Sequence, residues 1–153
     1  MTIAPIVQTI EIKAPPARAF ELFASRIGDW WPQGNGIGRN PLVTVIIEPH
    51  VDGRWFERDA DGNDTLWGKV LAWEPPGRLL LAWQLTPEWK HDPALITEVE
   101  LIFATGAAGG TLVTLEHRNL ERFGPHGEAF AAKIGGGWSI KAVQYRDFAD
   151  SQI

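Results

Sequence analysis

The stretch WSIKAVQYRDFA, Trp138 to Ala149, carries its apolar side chains at helical spacing: Trp138, Ala142, Tyr145 and Ala149 share one face, with Ile134 one turn earlier. Gly135, Gly136 and Gly137 stand immediately before it. Each glycine costs a helix roughly 1 kcal/mol relative to alanine, so the helix is expected to begin after them. Upstream the period shortens to two. From Ile6 to Lys13, Ile6, Ile10 and Ile12 fall on one face and Thr9, Glu11 and Lys13 on the other, which is the pattern of a half-buried strand.

Six further strand-like runs follow: Val43 to Glu48, Gly53 to Arg58, Thr65 to Trp73, Arg78 to Thr86, Ile96 to Thr105 and Gly110 to Asn119. The links Pro49 to Asp52, Asp61 to Asp64, and Glu74 to Gly77 are short and rich in turn formers, so they join antiparallel neighbours. Gly106 to Gly109 closes a hairpin. Between the first strand and the rest, Pro16 opens a short helix bearing Phe20, Phe23 and Ile27, and the run Gln33 to Pro41, with three glycines and two asparagines, reads as a loop. This order predicts a single α+β domain over residues 1–153: a curved antiparallel sheet of about seven strands, its concave face covered by the long C-terminal helix.

At 153 residues, 44% of them hydrophobic, the chain builds a core without disulfide or metal. Cysteine is absent, which excludes disulfides, thiolate metal sites and a cysteine nucleophile. A net charge of -5 with scattered basic residues argues against nucleic acid as a partner. No run approaches the roughly 20 apolar residues of a membrane span, and the N-terminus lacks a basic-then-apolar leader, so no membrane insertion and a cytoplasmic location are expected. The eight tryptophans load the interior with rings that fill a core or line a cavity.

The four histidines, His50, His91, His117 and His126, lack the spacing of a metal site, and neither metal nor cofactor is expected. Strand alternation places His117 on the apolar face with Val113 and Leu115. Glu98 and Glu100 lie opposite Thr97, Val99, Leu101 and Phe103 and so face water. Ser25 and Ser139 lack a nucleophile setting, and Gly34, Gly36 and Gly38 lack the flanking strand and helix of a dinucleotide fingerprint. No catalytic constellation is visible, which leaves open whether the protein is an enzyme.

The run Pro49, His50, Val51, Asp52, Gly53, Arg54, Trp55, Phe56, then Asp61 with Gly62, Gly68, Pro75 with Pro76, and Leu79 to Trp83, resembles the family of activators of the 90-kilodalton heat-shock chaperone ATPase and their homologues, a branch of the START-like (SRPBCC) superfamily. Pro16 to Trp31 and the pair Gly137 and Trp138 are similar to the first helix and the opening of the last. The resemblance implies a helix-grip fold with one or two short helices after the first strand. It also implies a homodimer. Folds of this kind host lipid carriers, cyclases and chaperone activators, so function does not follow from fold.

The apolar faces of sheet and helix assign a ligand site to Trp83, Phe103, Leu115, Trp138, Ala142 and Tyr145, with His117 and Tyr145 orienting a polar group of an otherwise apolar or aromatic ligand. Similar family members generally carry leucine where Ala142 stands, so a gap is expected there. The alternatives are a polyketide cyclase- or hydrolase-like enzyme using the same cavity, and a chaperone ATPase co-regulator of the stress response. The eukaryotic activators carry an additional N-terminal domain, whereas this sequence starts at the first strand, so chaperone activation is expected to be absent or feeble.

Overall fold

The computed structural model describes residues 2–153. Strand β1 (Ile6–Ile12) leads into α1 (Pro16–Ala24) and the single turn α2 (Ile27–Trp30). Strands β2 (Leu42–Ile47), β3 (Arg54–Asp59), β4 (Asp64–Glu74), β5 (Arg78–Trp83), β6 (Thr97–Thr105) and β7 (Thr111–Arg118) then run as a meander. The sheet order is β1-β7-β6-β5-β4-β3-β2, antiparallel throughout, so β1 closes against the last strand. The final helix α3 (Gly127–Ser151) fills the grip. Among the described residues, no helix is long and apolar enough to cross a membrane.

Each strand buries alternate residues. On β5, Leu79, Leu81 and Trp83 face inward; on β6, Val99, Leu101 and Phe103; on β7, Val113, Leu115 and His117. Glu98 and Glu100 stand on the outer face, where Arg118 bridges both at 2.9 and 3.0 Å and Arg78 reaches Glu100 at 2.7 Å. Surface pairs of this kind contribute at most about 1 kcal/mol each, so burial and not charge holds the sheet to its helix.

Two elements differ from the sequence expectation. Helix α3 begins at Gly127 and runs straight through Gly135, Gly136 and Gly137. Its first turns bury Phe130, Ala131 and Ile134, and Phe130 packs edge-on against Phe123 and Trp89 with ring centres 4.8 and 5.1 Å away. Burying two large apolar side chains contributes about 1.5–3 kcal/mol each, which offsets the glycines' loss of helix propensity. Strand β5 also ends early, at Trp83 instead of Thr86. The hydroxyl of Thr86 accepts the backbone N–H groups of Glu88 and Lys90 at 3.3 and 3.2 Å, and this local turn replaces the ladder.

Candidate functional site

At one end of the sheet the loop 32–41, strands β4 and β5, the turn 86–90 and helix α3 enclose a cleft of about 600 Å³. That volume lies in the range of small-molecule sites, roughly 300–1,000 Å³. Its walls are Trp31, Trp67, Trp83 and Trp89, with Ile37 and Leu85 between them and Lys141 of α3 on one side. The rings touch one another: Trp31 and Trp67 are 5.2 Å apart, Trp83 and Trp89 6.2 Å, and Trp55 lies behind them, 5.7 Å from Trp67 and 6.0 Å from Trp83.

The walls are fixed by polar contacts at their backs. Glu57 projects inward from β3, only 1% exposed, on the same strand face as Trp55. Its carboxylate accepts the Trp67 indole N–H at 2.8 Å and the backbone N–H groups of Ile37 and Gly38 at 2.6 and 3.1 Å. One side chain thereby ties a wall of the cleft to the loop that rims it. A β-carbon on Gly36 or Gly38 would come within 2.7 or 3.0 Å of that carboxylate, so the two glycines permit the loop to close. Across the cleft, Trp89 adopts the left-handed backbone conformation at φ 61°, unusual for a bulky residue and held by its N–H to Thr86 carbonyl bond of 2.8 Å.

Lys141 is half-buried, with its ammonium 4.7 Å from the ring centre of Trp31 and 5.7 Å from that of Trp138. Burial pushes its pKa down to about 8. Gly137 lies one turn earlier, and a β-carbon there would stand 3.3 Å from Lys141 Nζ, so the glycine leaves the ammonium room to lie against the helix.

Of the seven residues assigned from the sequence, only Trp83 lines this cleft. Phe103 lies deep under α1, packed on Phe20 and Phe23 at 5.1 and 6.2 Å. Leu115, Trp138, Ala142 and Tyr145 do converge on a gap between sheet and helix, but it is too narrow for a water molecule. Both expected ligand-orienting groups are spent inside the protein. The Tyr145 hydroxyl donates to the Ala19 carbonyl at 2.7 Å, and burial raises its pKa, keeping the phenol protonated. His117 is fully buried, bonded to Thr97 Oγ1 at 2.8 Å and to the Trp138 indole N–H at 3.1 Å. Lys141, Glu57 and the walls Trp31, Trp67 and Trp89 lie outside the site expected from the sequence. Alternation of Trp55, Glu57 and Asp59 was a legible sign for Glu57, whereas Lys141 sits beside the apolar stripe of α3, and only the glycine one turn earlier marks it.

A family model described as "Activator of Hsp90 ATPase homolog 1-like protein" matches residues 13–141. The chain belongs to this family. Among solved structures it is similar to an anthrahydroquino-gamma-pyrone synthase, Txn09, complexed with SUM: 30% identity, 95% of this chain and 97% of the other covered, TM-score 0.62. It is also similar to CalC, a self-sacrificing resistance protein from Micromonospora echinospora, at 24% identity, 97% and 95% coverage and TM-score 0.70. A third is the Aha1 dimer from Colwellia psychrerythraea, at 17% identity, 97% coverage of each chain and TM-score 0.64. The last two likenesses speak for the fold alone. No curated protein matches the sequence. The family's START-like architecture is therefore the frame, and the tryptophan cleft lies between the sheet, helix α3 and the loops at one end of it.

Proposed function

We propose that the protein binds a small apolar, aromatic molecule in the cleft walled by Trp31, Trp67, Trp83 and Trp89. The observation that carries this reading is that the walls are held in place by the protein itself. Glu57 fixes Trp67 and the loop rim, so a ligand does not have to order them. The wall is aromatic throughout, with Trp31 packed on Trp67 and Trp83 on Trp89, and an aromatic wall suits a planar ring. The 30% identical synthase complexed with SUM supports the same use of the fold.

The test is a titration with the neutral fluorophore N-phenyl-1-naphthylamine, read by tryptophan quenching. Gly34 lines the cleft, and nothing stands within 4 Å of where its β-carbon would be, so Gly34→Trp places an indole at the mouth without disturbing the core. The expected result is saturable binding by the wild type and at least about tenfold weaker binding by the variant, equivalent to roughly 1.4 kcal/mol. Equal binding by both proteins would remove the cleft from consideration.

A second reading, catalysis in the same cleft, rests on Lys141. An amine whose pKa is near 8 and which lies beside a hydrophobic site has the proton affinity of a general base. Turnover of an aromatic polyketide-like substrate that disappears in Lys141→Met would favour the enzyme over the binder.

A further inference from the structure

The lining of the cleft holds two ammonium groups, Lys90 and Lys141, and a single carboxylate, Glu88, which is exposed at the rim. Among the described residues no ion pair engages Lys141. Its ammonium rests instead on the faces of Trp31 and Trp138. Behind the same walls, the indole nitrogen of Trp55 is buried and finds no acceptor, although nearly every buried donor in a folded protein has one. The carboxylate of Glu57 behind these walls is taken up by Trp67, Ile37 and Gly38, so among the described residues neither the Lys141 ammonium nor the Trp55 indole nitrogen has an anionic or acceptor partner of its own.

An uncharged ring entering the cleft would strip water from Lys141 and return at most a cation–π contact to its charge, which leaves a cost that grows as the site dries. A ring bearing an oxyanion would return it, in a setting where water screens the pair weakly. We propose that the ligand of the cleft is a planar aromatic oxyanion, a carboxylate, sulfonate or phenolate on a fused or linked ring system, and that Lys141 selects for its charge. This rests on the cleft being the binding site. The protonated amine meets the oxygen while the ring lies among the indoles. Lys90, exposed at the rim, contributes only to the approach of the anion.

The experiment compares two probes with the same rings: 1-anilinonaphthalene-8-sulfonate, which is anionic, and N-phenyl-1-naphthylamine, which is neutral. Tryptophan quenching is followed in wild type, Lys141→Met, Lys141→Gln and Lys141→Arg, each first checked for a cooperative melt. The wild type is expected to prefer the anionic probe by about tenfold or more, the worth of one charge-assisted hydrogen bond. In Lys141→Met and Lys141→Gln the two probes are expected to bind within about threefold of each other, and Lys141→Arg is expected to keep the preference. Sodium sulfate alone should leave the emission unchanged. A wild type with no preference, or a preference that survives in both Lys141→Met and Lys141→Gln, overturns the proposal while leaving the cleft reading intact. A sulfate response equal to that of the anionic probe overturns the aromatic requirement. Failure of both probes to bind removes the cleft and the proposal together.

Discussion

The indole N–H of Trp138 on the last helix donates to Nδ1 of His117 on the last strand, at 3.1 Å. An indole nitrogen can only donate, so Nδ1 is the bare nitrogen and Nε2 carries the proton, which it gives to Thr97 Oγ1 at 2.8 Å. The Thr97 hydroxyl passes its own proton to the Trp83 carbonyl at 3.2 Å. Helix, β7, β6 and β5 are joined by one directed chain, and it requires a neutral imidazole.

Acid should therefore undo this joint. Burial lowers the pKa of His117 from 6.5 to about 3. As pH falls, the unfolded chain takes up the proton first, so the contribution of His117 is complete above its unfolded value and is lost progressively toward pH 3. Between pH 7 and pH 5 the loss is about 2 kcal/mol. Urea unfolding at several pH values checks this, and His117→Gln should show a lower stability that changes less over the same window.

Gly68 of β4 is expected to tolerate no side chain. A β-carbon there would lie 1.8 Å from the carbonyl oxygen of Ala82 on the neighbouring strand. Relief requires the backbone of β5 to move, so Gly68→Ala should cost about 3 kcal/mol. A melt within a few degrees of the wild type would show that the sheet bends more easily than its ladder implies.

Glu57→Gln tests the clamp. An amide offers one acceptor oxygen where the carboxylate offers two, and its NH2 group would face an N–H donor. A loss of about 1–3 kcal/mol is expected, together with weaker binding of both naphthyl probes. Loss of stability with binding unchanged would separate the clamp from the cleft.

Ala142→Leu addresses the narrow gap bordered by Leu115, Trp138, Ala142 and Tyr145. A gap too narrow for water has no room for leucine's extra carbons, so the substitution should lower stability by about 1–3 kcal/mol. A gain in stability in urea unfolding would mean that helix and sheet yield enough there to accept a larger side chain.

The fold was legible because its signals are periodic. Ile10 and Ile12 on β1, Leu79 and Leu81 on β5 and Val113 and Leu115 on β7 announce an inner face by alternation alone, and Trp138, Tyr145 and Ala149 announce the covering helix. Gly135 to Gly137 misled because propensity is local, whereas the burial of Phe130 and Ile134 that outweighs it comes from distant residues. The site was harder to read. His117 was placed correctly on the inner face, but its partners, Thr97 and Trp138, lie 20 and 21 residues away, and no spacing reveals that they occupy both ring nitrogens. Trp31 and Trp89 sit in segments without a period, and only folding brings them to one cleft.

The tryptophans have a consequence for light as well as for packing. Trp30, Trp31, Trp55, Trp67, Trp83, Trp89 and Trp138 form an unbroken series of neighbours with ring centres 5.2 to 6.3 Å apart. At such separations an excited indole hands its energy to the next ring faster than it emits. The series should behave as one antenna, so a molecule resting against Trp31 at its centre or Trp89 at its end would dim rings that it never touches. A ligand in the cleft would therefore be reported by emission from any of these seven indoles, while Trp73, packed on Phe20 and outside the series, would be the least affected.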